Sequence, residues 1–125
     1  MNPSAAAPAP CVHHRWSRIE KEQLNPRFAR QVIHAGRMTV ARVYLVKGCE
    51  IPEHSHDNEQ VSVIDQGRLL FRIQGSEYVV AAGEALQIAP NVPHSAVALE
   101  DTVGTDLFTP VREDWRRGDD AYLRR

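Results

Sequence analysis

Residues 48–67 read GCEIPEHSHDNEQVSVIDQG and carry the strongest functional signal in the chain. His54 and His56 lie two residues apart, so on an extended strand their side chains project to the same face. Gln60 lies four residues further on and keeps that parity if no bulge intervenes. The spacing therefore predicts that one strand supplies two imidazoles and one amide oxygen, which are suitable ligands for a divalent metal ion.

A fourth candidate ligand is His94, which ends the segment APNVPH over residues 89–94. A turn with two prolines is stiff and can present the imidazole from a neighbouring strand. The remaining histidines, His13, His14 and His34, are interpreted as ordinary side chains without a metal, because histidine is found both at the surface and in the interior. A His-x-His pair alone is also common on the polar face of a surface strand, so the flanking residues matter.

These flanks resemble the first motif of the cupin superfamily, which runs glycine, five residues, His-x-His, three or four residues, glutamate, six residues, glycine. Every interval is matched by Gly48, His54, His56, Gln60 and Gly67. One residue differs from the motif: Gln60 stands where the motif has glutamate. The second motif, a glycine followed by a proline turn and a histidine, is similar to residues 83–94.

The resemblance covers residues 36–112 and implies an all-β, single-domain cupin, that is, a double-stranded β-helix or jelly-roll barrel. Turn signals that recur from Gly36 to Gly104 favour the same class, because short strands between glycines and prolines are typical of β-sandwiches and barrels. Hairpin turns are predicted at residues 65–67 and 74–76, where glycine accepts positive φ. Arg68 is predicted to face water, whereas Arg72 could face either water or the barrel interior.

The two ends of the chain carry weaker signals. Residues 1–14 are rich in alanine and proline and are predicted to form a disordered tail, with a single domain over residues 15–125. Residues 17–25 are predicted to form a short helical turn capped by Ser17. Residues 112–125 mix five arginines with four acidic residues, and they predict either a solvated tail or a short helix. In the second case Trp115 and Tyr122 would dock on the barrel or on a partner subunit.

Composition narrows the class of partner. The chain has 125 residues and a formal net charge of −1, so it has no broad attraction for nucleic acid or anionic membranes. We expect a small-molecule substrate. Two cysteines form no disulfide framework, and no apolar run approaches the roughly 20 residues of a membrane span, so a cytoplasmic protein with reduced thiols is expected. The exposed edges of an open barrel favour a homodimer.

Residues 97–115 resemble the end of the KdgF proteins, single-domain cupins of uronate catabolism that also use three histidines and a glutamine. The resemblance implies that Asp106, Phe108 and Arg112 line the active pocket. Asp106 and Phe108 would share a strand face, and Pro110 can end the strand so that Arg112 folds over the mouth. The alternative is that Phe108 belongs to the core and Arg112 forms a surface ion pair with one of the two acids that follow it.

KdgF proteins convert 4,5-unsaturated monouronates into linear keto sugars. The resemblance implies one divalent metal ion that polarises a substrate oxygen, Asp106 as acid or base, Arg112 on the substrate carboxylate, and Phe108 against the sugar ring. Because Gln60 is neutral, the ion would be electron-poor, which favours zinc or nickel over iron or manganese. Glu59 would replace Gln60 as a ligand only if a bulge shifted the register.

Three other functions fit the same residues. Polyketide cyclases such as RemF have a similar shell of histidine and glutamine, and they need a wide apolar lumen. Many cupins are dioxygenases, although a neutral glutamine argues against iron chemistry. A non-catalytic cupin that binds a small molecule is also open, because a fold does not determine a function.

Overall fold

The computed structural model describes residues 9–125, and most of these residues lie in antiparallel β-strands. A 3-10 turn, Trp16–Arg18, precedes the strands, and a second, Ala121–Arg124, ends the chain. In chain order the other elements are β1 (Glu22–Asn25), β2 (Phe28–His34), β3 (Thr39–Leu45), β4 (Glu50–His54), β5 (Glu59–Gln66), β6 (Arg68–Ile73), β7 (Ser76–Ala81), β8 (Ala85–Ile88), β9 (His94–Ala98), β10 (Thr102–Thr109) and α1 (Glu113–Arg116).

The strands form two sheets that face each other. The larger sheet has six strands in the order β1-β2-β3-β10-β5-β8, and the smaller has four in the order β4-β9-β6-β7. Every paired neighbour is antiparallel. Side chains alternate between the inside and the outside along several strands, as β3 illustrates with its pattern of buried and half-buried residues. The prediction of an all-β jelly-roll barrel is therefore confirmed.

The space between the sheets is filled by apolar side chains from both. Phe28, Val43 and Leu45 enter from the larger sheet, and Leu69 and Phe71 enter from the smaller. On the outer face of β6, the side chains of Arg68 and Arg72 are exposed and pair with exposed carboxylates. Arg68 thus faces water as predicted, and Arg72 does the same.

One of the two predicted hairpins is wrong. Gly67 joins β5 to β6, but these strands belong to different sheets and do not pair. Its φ is +87°, and a Cβ there would lie 2.3 Å from the carbonyl oxygen of Asp101, so the connection between the sheets requires glycine. The second hairpin is confirmed. Gln74 and Gly75 both have positive φ and join β6 to β7, which is typical of a type I′ turn.

The predicted helical turn over residues 17–25 is also wrong for most of its length. Ser17 lies in the 3-10 turn Trp16–Arg18, and residues 22–25 form β1. This strand pairs with β2 and buries Leu24, which is 6% exposed. Pairing and burial with distant residues outweigh the weak local preference for a helix.

At the N-terminal end, residues 9–14 are exposed and form no helix or strand. Residues 1–8 lie outside the described part, so the disordered tail stays a prediction there. At the C-terminal end, residues 113–125, here called the C-terminal segment, fold back onto the barrel and bury Leu123 in its core. The expected short helix with docked aromatics is thus present. In residues 9–125 no helix has the length and apolar character needed to cross a membrane.

Candidate metal centre and its pocket

Three of the predicted ligands converge at one end of the barrel. His54, His56 and His94 each place a ring nitrogen within 4.8 Å of the others. His54 ends β4 and pairs directly with His94, the first residue of β9. His56 lies in the connection after β4, and Gln60 lies on β5 in the other sheet. The expectation that one strand supplies three ligands is therefore wrong, because the chain crosses between the two sheets within that interval.

Each imidazole in the cluster is held by a nearby backbone carbonyl. The Nδ1 atoms of His54, His56 and His94 lie 2.8, 3.0 and 2.8 Å from the carbonyl oxygens of Pro52, Asn58 and Val92. A carbonyl only accepts, so each Nδ1 carries the proton and donates it. The second nitrogen, Nε2, is then left with a lone pair in each neutral ring. A ring that donates one N–H to a backbone carbonyl and leaves its other nitrogen free is typical of metal-binding histidines.

Gln60 supplies the fourth predicted group. Its side chain is 6% exposed, and its Oε1 lies 3.1 Å from Nε2 of His56. Because that nitrogen carries no proton, two lone pairs face each other, and a cation between them would relieve the repulsion. Glu59, the alternative to Gln60, accepts a hydrogen bond from Gln87 on the exposed side of the sheet. The register thus presents the amide and not the carboxylate to the cluster.

The charge state of the cluster suits a metal ion. Burial lowers the pKa of His54 and of His56 to about 4, and in His56 the nearby Arg112 adds to this effect. Burial also lowers the pKa of His94. All three rings are therefore neutral at pH 7 and available as ligands. Within the described residues, Nε2 of His94 is buried and has no hydrogen-bond partner, which is costly unless an ion binds there. The residues present fit one divalent ion.

Asp106 lies beside this cluster on β10, where it is paired in register with Ser62 of β5. Burial raises the pKa of Asp106 to about 6, although a hydrogen bond from Ser62 and the charge of Arg112 act in the opposite direction. A carboxyl group with such a pKa exchanges its proton readily near neutral pH, as an acid or base catalyst must. Two residues later, Phe108 is 2% exposed and contacts His56 with ring centroids 5.7 Å apart.

Arg112 is buried beneath the C-terminal segment and is only 1% exposed. Its Nε and Nη2 donate to the carboxylate of Asp114 at 3.0 and 2.8 Å, and Nη2 also lies 3.1 Å from the hydroxyl of Tyr122. The guanidinium stacks on Phe108 and Trp115, with its carbon 4.7 and 4.3 Å from the two ring centroids. The predicted ion pair with an adjacent acid does exist, but its arginine is buried and its Asp114 carboxylate is partly exposed.

The pocket has two walls: the three histidines lie on one, here called the histidine wall, and the C-terminal segment forms the other. Tyr122 packs on the ring of His54 with centroids 4.8 Å apart, and Trp115 and Leu123 lie further along the same wall. The cavity that remains has a volume of about 60 Å³. That volume holds about four water molecules.

Comparison with known proteins agrees with this geometry. A family model described as Cupin domain matches residues 41–107. The chain belongs to the cupin family. Its sequence is 28% identical over 97 residues to the pectin degradation protein KdgF of Dickeya dadantii, covering 75% of this chain and 88% of that protein.

Solved structures give the same assignment. An RmlC-like cupin from Shewanella frigidimarina has a TM-score of 0.76 and 27% identity, covering 82% of this chain and 93% of its own. KdgF from Halomonas sp. has a TM-score of 0.72 and 26% identity, covering 77% of this chain and 92% of its own. This cupin is therefore KdgF-like in both sequence and structure.

Some pocket residues of this cupin were missed by sequence reasoning. Ser62 had a usable signal, because it lies two residues after Gln60 and must share its strand face. Tyr122 was expected to dock on the barrel or on a partner subunit, but its specific contact with His54 was not predicted, since that contact depends on how the C-terminal segment folds back. Asn58 was also missed; its carbonyl accepts from His56, and its side-chain amide donates to the carbonyl of Pro110, two residues before Arg112.

Proposed function

We propose that this cupin is a metal-dependent enzyme that converts 4,5-unsaturated monouronates into linear keto sugars, as its resemblance to KdgF implies. The observation that supports it best is the convergence of three neutral imidazoles with the Gln60 amide, beside one titratable carboxyl and one buried guanidinium. Such a set can bind a cation, move a proton and hold a substrate carboxylate within one pocket.

In this proposal one divalent ion per chain is held by His54, His56, Gln60 and His94. When bound, the ion would supply Lewis acidity toward a substrate oxygen. A shell without a carboxylate leaves the ion its full positive charge, which favours zinc or nickel, while iron and manganese stay possible. The orphaned Nε2 of His94 and the facing lone pairs of His56 and Gln60 support this ligand set.

Asp106 has the acid–base role. Its pKa of about 6 leaves it mostly ionised at pH 7, so it can accept the proton of the anomeric hydroxyl as the ring opens. The protonated carboxyl can return a proton when the enol becomes a ketone. Ser62, by donating to the carboxylate, keeps Asp106 oriented toward the pocket.

Arg112 and Phe108 have the binding roles. Asp114 now occupies the two guanidinium nitrogens to which the proposal assigns the substrate carboxylate. The substrate would therefore displace Asp114, and the C-terminal segment would move outward to make room for the sugar next to Phe108.

The structure gives less support to the other functions. A polyketide cyclase has no need of the buried Arg112 guanidinium beside the metal ligands, whereas a uronate carboxylate can pair with it. A dioxygenase would be better served by a carboxylate ligand than by Gln60. A non-catalytic binding protein has no need of the titratable Asp106 beside the metal ligands. As its setting, we propose a single domain over residues 15–125 that acts in the cytoplasm as a homodimer.

The test measures metal content and turnover together. Purified protein is assayed for bound metal, and loss of the cyclic unsaturated galacturonate is followed by proton NMR before and after chelation. We expect about one ion per chain and a rate that falls to the uncatalysed level when the ion is removed. Asp106→Asn should abolish turnover but keep the ion, whereas Asp57→Asn, an exposed control, should keep both. Equal rates with and without metal would contradict the proposal.

A further inference from the structure

Ser62 stands between a predicted metal ligand and the predicted acid–base residue. It shares the inner face of β5 with Gln60 and lies opposite Asp106 of β10. Its Oγ accepts a hydrogen bond of 2.9 Å from Nε2 of Gln60, and its position opposite Asp106 lets its hydroxyl donate to that carboxylate, which lowers the pKa of Asp106. Ser62 is 1% exposed, so bulk water does not compete for these contacts.

Counting protons fixes the direction of both hydrogen bonds. A serine hydroxyl has one proton, and an ionised carboxylate can only accept. The Ser62 proton therefore goes to Asp106, and the Ser62 oxygen can only accept from its other neighbour. That neighbour must present an N–H, so the amide nitrogen of Gln60 faces Ser62. The amide oxygen of Gln60 then faces His56 and the metal cluster, as the 3.1 Å contact shows.

We infer that Ser62 is a positioning residue that orients the Gln60 amide so that its oxygen, and not its nitrogen, points to the metal site. The need arises from the glutamine itself. Its two terminal atoms differ, and only the oxygen can bind a cation, whereas the two oxygens of a glutamate are equivalent. This inference rests on the metal site of the proposed function but not on the substrate or the reaction.

The first measurement is zinc affinity of the metal-free protein, by competition with a chromogenic chelator. Ser62→Ala lets the Gln60 amide rotate, and we expect zinc affinity to fall by about 10- to 100-fold, the usual effect of removing a group that orients a ligand. Ser95→Ala is the matched control, because Ser95 also lines the pocket but makes no contact with Gln60 in the described hydrogen bonds. Ser62→Thr keeps a hydroxyl and should retain affinity close to that of the wild type.

A Gln60→Glu background distinguishes a positioning role of Ser62 from a general effect of its loss on the fold. In Gln60→Glu the ligand has two equivalent oxygens, so adding Ser62→Ala should cost little or no further zinc affinity. If Ser62 merely supports the fold, the loss would be equal in the wild-type and Gln60→Glu backgrounds, and the inference would be overturned. It would also be overturned if Ser62→Ala alone bound zinc as tightly as Ser95→Ala.

These measurements distinguish a failure of the positioning role of Ser62 from a failure of the proposed function. A wild-type protein that binds no zinc would overturn both the metal site and the role of Ser62. Zinc binding that depends on Ser62 only when residue 60 is the native glutamine would support the positioning role, even if no uronate is converted. Thermal unfolding of each metal-free variant checks that the barrel is intact, because a folded Ser62→Ala protein is required for the comparison.

Discussion

The two walls of the pocket are held in place by different kinds of interaction. On the histidine wall, each ring is fixed by the carbonyl of a residue two positions away in the sequence. On the wall made by the C-terminal segment, the contacts join the two ends of the chain. Arg30 of β2 pairs with Asp120, Arg124 pairs with Glu22, and the side-chain amide of Asn25 donates to the carbonyl of Leu123.

This contrast indicates where each wall gains its stability. Local hydrogen bonds to the backbone survive as long as β4, β9 and their turns survive. The C-terminal segment depends instead on a buried ion pair and on Trp115, whose ring is stacked by the guanidiniums of Arg30 and Arg112, each 4.3 Å from its centroid. The local hydrogen bonds of the histidine wall thus hold its rings in position for an ion. The C-terminal segment can be destabilised without breaking those bonds.

The largest effect is expected from breaking the buried ion pair. Arg30 is 3% and Asp120 is 1% exposed, and hydrogen bonds from Arg124 and Arg30 lower the pKa of Asp120 in spite of its burial. Asp120→Ala leaves the buried Arg30 guanidinium with only the half-exposed Glu22 as an ion-pair partner, so the free energy of unfolding should fall by about 3–5 kcal/mol. Urea unfolding of the metal-free wild-type and Asp120→Ala proteins measures this loss of free energy.

The neighbouring Asp119 provides the control for this change. It forms an exposed ion pair with Arg117, and Asp119→Ala should lower the free energy of unfolding by less than about 1 kcal/mol. Zinc affinity of folded Asp120→Ala should stay near that of the wild type, because the histidine wall has its own supports. A parallel loss of zinc affinity would show that the two walls are not independent.

A smaller effect is expected at Asp106, which lines the same pocket. The pKa of Asp106 is raised from 3.8 to about 6 in the folded protein. The stability that its protonated carboxyl contributes is therefore fully present below pH 3.8 and is lost as pH rises through 6. Asp106→Asn does not titrate. In metal-free protein at pH 7 it should therefore raise the free energy of unfolding by on the order of 3 kcal/mol, at about 1.36 kcal/mol per pKa unit.

Urea unfolding at a series of pH values measures the Asp106 effect. The stability difference between wild type and Asp106→Asn should be small near pH 4 and grow up to pH 7. The exposed control Asp57→Asn should show no such growth. A difference that stays constant with pH would mean that the carboxyl is not forced into a costly ionised state by its burial.

The smallest effect is expected at Asp114, whose carboxylate competes with the proposed substrate for Arg112. Asp114→Asn weakens a charged hydrogen-bonded pair and should lower the free energy of unfolding by about 2 kcal/mol. The KM of the Asp114→Asn variant for the unsaturated uronate should fall, because the substrate carboxylate reaches the Arg112 guanidinium more easily. Glu113→Gln, which alters only an exposed pair with Arg116, should change neither quantity. A higher KM in Asp114→Asn would instead mean that Asp114 holds Arg112 in its binding position.

Sequence reasoning succeeded where spacing along the chain carries the information. The alternation of apolar residues predicted strands, and the intervals of the two motifs identified His54, His56 and His94, which meet as predicted. It failed where distant residues decide. Residues 22–25 become a strand because β2 lies beside them, and Gly67 links two sheets instead of closing a hairpin, because pairing partners are not encoded in a short segment.

Residue types and their intervals inside two separate motifs were enough to indicate the resemblance to cupins and, with it, the fold, the three histidines and the neutral glutamine, because the intervals inside each motif are short. Folding in three dimensions was needed to show that Gln60 approaches from the opposite sheet, that Ser62 links it to Asp106, and that the C-terminal segment closes the pocket over Arg112. Those features arise from side chains on separate strands and at opposite ends of the chain, whose contacts exist only after the chain has folded back on itself.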